Sequence, residues 1–430
     1  MAKVVEVLGE SCNPDMSLQT LGATGEVAGE GVGAVAGAGG PARAETTGRS
    51  WSVVSFGTAG ELEPYVASWE LLAGDAAEPN LFYEHWMLLP ALRLYGQGQD
   101  VEIALVIETD AGQGKRVVGV FPLQRTRRFR GLPVRGAVLW DHPNCFLCTP
   151  LIARGSEAAC WEALFAWERA SHHGDLLLEL QTMSGDGPVF ESFLEFASKE
   201  RLPIHIGGLY TRPLLEVGND ADAYLRESMS KSLRYNNDRN RRRMSEMGTV
   251  ETLELKQTDN LDAWVEPFFR LEASGWKSQN GTAIACHEAD RQFFNEIAHE
   301  GFRRQRLKMV SLSLDGQAVA TEFNMVAGEG MFRLKIAYDE RHARFSPGMM
   351  LAVEIVRQLH EQTQIRWMDS CAAPGNQPMK RLWGQRRMIA NVICPTGRRF
   401  SHLLVSLIPM GRYLQSWRSV RPTVGNADRV

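Results

Sequence analysis

The run MFRLKIAYDERHARFSPGMML, from Met331 to Leu351, joins a strand-like segment to a helix through a charged turn. Met331 to Tyr338 is dense in apolar and aromatic residues and reads as a strand. Pro347 suits the first helical turn, because the N–H it lacks is one a helix leaves unpaired there. Gly348 has no Cβ and lets a ligand come close to the backbone. Met350, Leu351, Val353, Ile355, Val356 and Leu359 then share one helical face. A helix start can hold an anion on its N–H groups, so Ser346, Pro347, Gly348, Met349 and Met350 form a candidate phosphate or pyrophosphate turn. Ser-Pro and Pro-Gly are also plain caps at strand–helix junctions, so the turn alone does not define a site.

Other residues near it have types that could do chemistry. Glu322 interrupts the apolar run Val319 to Val326. Burial would raise its pKa toward that of a useful base, whereas an edge-strand Glu would face water. Lys335 interrupts Phe332 to Tyr338 in the same way, and would pair with Glu322 across neighbouring strands or bind an anionic substrate group. Tyr338 and Asp339 close that strand at the edge where open sheets take ligands. Asp369 ends Arg366-Trp-Met-Asp369, as a site residue or as a helix N-cap. Trp276 and Lys277 follow a helix ending at Gly275, where Trp276 could wall a substrate groove. Ser230 to Arg243 carries six Lys/Arg against one Asp. That helix suits a tRNA backbone, a nucleotide 3′-phosphate, an acidic polysaccharide, or simply solvent.

Several chemistries lack their residues. No G-x-S-x-G motif is present, so a serine nucleophile elbow is not expected. His172-His173 and Cys286-His287-Glu288 lack metal spacing, and Cys145-x-x-Cys148 has no second Cys/His pair. These cysteines read as small hydrophobes of a buried strand over Cys145 to Ile152. No metal is expected. Gly29 to Gly40 lacks the strand and helix that a dinucleotide-binding glycine fingerprint needs, and reads as low complexity.

The elements that must position the candidates follow from patterning. The 430 residues are 44% hydrophobic and 23% charged, with a net charge of −4, which gives no global argument for DNA or an anionic membrane. No apolar run is long enough for a transmembrane helix, and the N-terminus lacks a secretory signal, so a cytoplasmic protein is expected. Residues 1–49 read as a disordered Gly/Ala-rich tail. Residues 50–217 hold strands and helices around the hairpin turn at Thr109 to Gly114, and residues 218–398 repeat that grammar as helices, a β-meander, a helix and a further strand. Residues 399–430 form a C-terminal helix and tail. This order predicts an α+β fold with one βαβ crossover in its second half.

The segments Leu271 to Lys277, Gly281 to Ile284, Phe293-Phe294, Ser311 to Ala320, Lys335 to Glu340, Ser346 to Gly348, Asp369 and the pair Lys380, Trp383 occur in an order that resembles the GNAT-type acyltransferases of the CelD family, linked to bacterial cellulose and exopolysaccharide synthesis, and in turn the FemABX peptidyl-transferases. The resemblance covers residues 229–395 closely. It implies tandem GNAT-like domains with mixed β-sheets flanked by helices, the C-terminal one active, and an N-acyltransferase without a tightly bound cofactor. Acetyl-CoA or another acyl-CoA would be the co-substrate, bound at Ser346 to Met350. An amine, on an amino sugar or nucleotide-linked sugar, would be the acceptor, with polysaccharide-synthesis proteins as partners. Glu322 or Asp369 would take the amine proton and Tyr338 would protonate the leaving thiolate. Trp276, Lys277, Lys335, Lys380 and Trp383 would bind substrate. The alternatives are a FemABX-like transferase using aminoacyl-tRNA, and a non-catalytic GNAT-fold subunit of a polysaccharide synthase.

Overall fold

In the computed structural model, residues 49–112, 114–274, 284–373, 377–398 and 400–408 are described. The expected Gly/Ala-rich tail therefore lies outside the described residues, as do Trp276 and Lys277 and the chain beyond residue 408.

Among the described residues, twelve strands hydrogen-bond in one continuous path, in the order β1-β2-β3-β4-β6-β13-β7-β12-β11-β10-β9-β8, with β5 attached to β3. The first half supplies β1 (Arg49–Phe56), β2 (Val101–Asp110), β3 (Gly114–Thr126), β4 (Gly136–Leu139), β5 (Leu151–Ile152), β6 (Leu177–Ser184) and β7 (His205–Glu216). The second supplies β8 (Val250–Glu254), β9 (Leu307–Leu314), β10 (Gln317–Ala327), β11 (Gly330–Tyr338), β12 (Trp367–Asp369) and β13 (Gln385–Pro395). β4 and β6 are parallel, as are β11 and β12, so each half contains a crossover. β13, the last strand of the second half, lies between β6 and β7 of the first.

Helices cover both faces. In the first half α1 (Val66–Gly74), α2 (His85–Tyr95), α3 (Glu157–Ala170) and α4 (Pro188–Lys199) are the main helices. In the second, α5 (Ala221–Ser228), α6 (Lys231–Ser245), α7 (Asp262–Ser274), α8 (Glu288–Arg303), α9 (Pro347–Glu361) and α10 (Gln377–Leu382) follow. The apolar residues of α9 pack with Val310, Leu312, Ala320 and Met331 on one sheet face, joined by Met244 of α6 and Trp383. Phe268 of α7 and Phe293 and Phe294 of α8 pack on the opposite face with Phe323 and Phe332, in a core that continues into the first half. Phe82 meets Phe332 at 5.5 Å between ring centroids.

Glu61 to Leu72 reads as one helix in the sequence, but the structure breaks it with a 3-10 turn at Glu63–Tyr65, where Pro64 cannot donate to an α-helical ladder. The strand expected over Cys145 to Ile152 shrinks to Leu151–Ile152. The segment before it is irregular yet buried, because side chains take over its backbone bonds. Asn80 donates to the carbonyls of Leu147 (3.1 Å) and Thr149 (2.7 Å), and Arg212 donates to that of Phe146. The Cys145 and Cys148 sulfurs lie 3.8 Å apart in this segment, and burial raises the Cys145 thiol well above its usual range. Of the expected C-terminal helix, residues 401–408 are helical, and the part beyond residue 408 lies outside the described residues.

Candidate functional site

The site is built where β11 outruns its neighbour. The parallel pairing with β12 consists of Gly330↔Trp367, Met331↔Met368 and Phe332↔Asp369. β12 ends there, whereas β11 continues to Tyr338. Gly330 is needed at the start of this pair, since a Cβ there would lie 2.1 Å from the Trp367 indole. On its other side β11 pairs with β10, and the register shifts between Phe323↔Lys335 and Asn324↔Arg333, which leaves Leu334 as a bulged residue. A bulge takes its extra residue out of the ladder and re-aims the backbone toward a ligand.

The bulge also decides which charges meet. Arg333 faces α9 with Met331, but Lys335 turns to the opposite face beside Phe323, and its amine sits 5.7 Å from the Phe294 ring. The expected pair of Glu322 with Lys335 is therefore replaced by Glu322 with Arg333, whose oxygen and nitrogen are 2.5 Å apart. Both are buried beneath α9, and Arg333 also points at the Met379 sulfur (2.7 Å). Glu322 is sealed from solvent and bound to a cation, an arrangement suited to holding strands together rather than collecting an amine proton.

Asp369 is also committed. It is completely buried, and one oxygen meets Arg212 (2.6 Å) and Arg387 (2.7 Å) while the other accepts the Cys371 N–H (2.9 Å). Burial alone would raise its pKa, but Arg212 and Arg387 outweigh that and lower it below its usual value. Such a carboxylate is a weak base. Its geometry makes it the clamp between β7, β12 and β13, with Arg387 stacked 4.3 Å from the Trp367 ring. Sequence reasoning found Asp369 but missed Arg212 and Arg387, which come from two other strands.

At the far end of β11, residues Glu340–Phe345 form a 3-10 turn, and Ser346 adopts a left-handed conformation (φ 55°) before Pro347 opens α9. The available N–H set is smaller than the sequence suggested. Met349 and Met350 both donate to the Ser346 carbonyl, at 2.9 and 3.2 Å. Met350 is the first residue of the α-helical ladder and its side chain is core, so its N–H is not free for the candidate anion turn. Gly348 packs on β11: a Cβ would lie 3.2 Å from Ile336 and 3.7 Å from Tyr338. Tyr338 is thus beside the turn. Burial, then Glu340, raise its phenol above the usual range, so it stays protonated.

The basic helix α6 packs beside this turn. Arg241 pairs with Glu354 of α9 (3.4 Å), and Arg344 of the turn meets the sulfur of Met247, just past α6 (3.7 Å). Lys231, Tyr235, Arg239, Arg242 and Arg243 are exposed along α6. The sequence pointed to both features separately, and the fold brings them together. Trp383, expected to bind substrate, is instead core at 1% exposure. The Lys380 carbonyl accepts from Arg386 (3.2 Å), and its side chain is half-buried.

Among the described residues there is no cluster of His, Cys, Asp and Glu able to hold a metal, and no helix long and apolar enough to cross a membrane.

Comparison with known proteins bears on this geometry. Residues 231–381 match the model of the acetyltransferase (GNAT) domain family. No curated protein sequence matches the chain. Among solved structures, FemX superposes with a TM-score of 0.52 at 10% identity, covering 80% of this chain and 98% of that one. The C-terminal domain of a putative lysylphosphatidylglycerol synthetase from Agrobacterium fabrum gives 0.46 at 12% identity, covering 80% and 95%. A tandem GNAT protein from the clavulanic acid biosynthesis pathway gives 0.40 at 15% identity, covering 81% and 99%. The chain thus has a mixed α+β fold of the GNAT type, with a large mixed sheet flanked by helices.

Proposed function

We propose that the protein is an N-acyltransferase that moves an acyl group from acyl-CoA to an amine, with residues 218–398 as the active domain and residues 50–217 as its support. The observation that carries this reading is the conjunction at the end of β11: a bulged strand that runs on past the end of β12, a helix start at its tip, and a basic helix alongside. The donor's phosphates would meet the Gly348 N–H, the Tyr338 hydroxyl and the α6 arginines. Its extended arm would lie along the edge of β11 that β12 leaves, bringing the thioester to the bulge at Leu334, about 13 Å back along the strand. There a backbone N–H would polarise the carbonyl as the amine attacks.

Attack joins nitrogen to the carbonyl carbon, collapse breaks the carbon–sulfur bond and expels the CoA thiolate, and the proton shed by the nitrogen passes to that thiolate, directly or through water, to give free CoA thiol. Glu322 and Asp369 are bound to arginines, so the reading assigns neither as the base. Positioning of the neutral amine carries the step. Acceptors on sugars and a role in surface-polysaccharide synthesis follow from the family resemblance and are part of the proposal.

The test is release of free CoA thiol from acetyl-CoA with a panel of amines. Turnover is expected. Replacing Arg242 and Arg243 with Ala should weaken acetyl-CoA binding and erase the preference for CoA over its 3′-dephospho form. A second reading, aminoacyl transfer from tRNA, is favoured by the exposed basic face of α6. It requires tRNA binding that falls steeply with salt, and no response to acyl-CoA.

A further inference from the structure

A cavity of about 660 Å³ opens between α7 and the strands β8 to β10. It lies on the sheet face opposite α9. Thr321 alternates with Glu322 along β10, so the face that buries Glu322 under α9 turns Thr321 into this groove. Its floor carries Ser311, Ser313 and Thr321, each at most 6% exposed. A sheet face packed beneath a helix normally carries aliphatic side chains. Here hydroxyls stand in their place, with Ser311 and Thr321 paired at 3.1 Å. Trp264 of α7 forms part of the wall.

The charge of the lining narrows the ligand. Arg270, Arg341 and Asp339 are its ionised groups, two positive and one negative. Asp339 is already engaged by Arg341, at 3.0 Å through Nε and 2.7 Å through Nη2. The groove is therefore net positive, with hydroxyls below and an indole beside it. We infer that it binds a sugar ring carrying an anionic group, a uronate or a sugar phosphate. Hydroxyls and indole would take the polar edge and apolar face of the ring, and Arg270 would take the anion.

A second cavity of about 470 Å³ shares Asp339 and Arg341 and adds Asp315, from the β9–β10 turn, and His342, from the turn before α9. The groove thus reaches the turn assigned to the donor. This inference rests on the transferase reading only for its consequence, that the bound sugar belongs to the acceptor. A net positive lining would also favour the unprotonated amine that the reaction needs.

The experiment needs no donor. The full chain is titrated with glucuronate, glucose 6-phosphate and glucose, followed by saturation-transfer NMR and calorimetry. The anionic sugars are expected to bind about tenfold or more tightly than glucose, and the stronger of the two identifies the source of the charge. Arg270→Gln, at an exposed position, should remove that preference while leaving glucose unchanged. Trp264→Ala should weaken all three, with the melting temperature checked separately. Absence of any sugar signal overturns the inference, as does binding indifferent to both substitutions. Sugar binding without thiol release would sink the transferase reading alone, and thiol release to simple amines without sugar binding would sink this inference alone.

Discussion

Asp369→Asn separates a structural clamp from a catalytic base. In the folded protein this carboxylate is fully buried between Arg212 and Arg387, at 2.6 and 2.7 Å, and accepts the Cys371 N–H. Asparagine keeps the shape but removes the charge, which leaves Arg212, itself 2% exposed, buried without its counter-ion. Breaking a buried pair in this way costs about 3–5 kcal/mol. At roughly 2–4 °C per kcal/mol, the melting temperature should fall by about 6–20 °C. Urea unfolding should show the same loss as an earlier midpoint. Adding Arg212→Met should cost less than the sum of the two single changes, because the charge left unpaired is gone. The pH dependence has a definite sign. The folded pKa is lowered from 3.8, so the stabilisation is present above the unfolded value and is lost as pH falls through the folded one. A variant less than about 1 kcal/mol destabilised, with turnover down by two or more orders of magnitude, would instead make Asp369 the base.

Burial raises Glu168 to about 7 against the pull of Arg125, with Asp175 and Glu102 adding repulsion, so it keeps a proton that the unfolded chain loses near 4.5. Stability should therefore decline as pH rises from about 4.5 to 7, by up to about 3 kcal/mol, and Glu168→Gln should flatten that slope in denaturant titrations. Gly330→Ala places a methyl against the Trp367 indole and should cost about 1–3 kcal/mol, read from the urea midpoint; an unchanged midpoint would mean the ring moves aside freely. Tyr338→Phe should raise the KM for acyl-CoA about tenfold with kcat retained. A fall in kcat alone would return the phenol to the role of proton donor.

The strand–turn–helix unit from Met331 to Glu361 was legible because Pro347 and a 3.6-residue apolar period mark its helix locally. The partner of Glu322 was not. Strict alternation puts residues 331, 333 and 335 on one face, and the bulge at Leu334 reverses that parity, so Arg333 meets Glu322 and Lys335 goes to Phe294. Bulges leave no reliable mark in a single sequence. Asp369 stood out as an acidic strand end, but its meaning depended on Arg212 and Arg387, distant in sequence and adjacent only in the sheet. The same limit applies to Cys145 to Pro150. An apolar run reads as a strand until Asn80 and Arg212 are seen to satisfy its carbonyls instead. The groove beside α7 was invisible for a related reason, since Ser311, Ser313 and Thr321 look like ordinary strand residues until their shared face is known.

Under the proposed function an acyl-CoA donor is held at the turn before α9, and amide hydrogen exchange with and without acetyl-CoA locates it. Binding should protect residues 338–349 and β11, with a smaller effect at exposed α6. Binding that protects neither the turn nor β11, or no binding of acyl-CoA at all, would remove the donor from this turn.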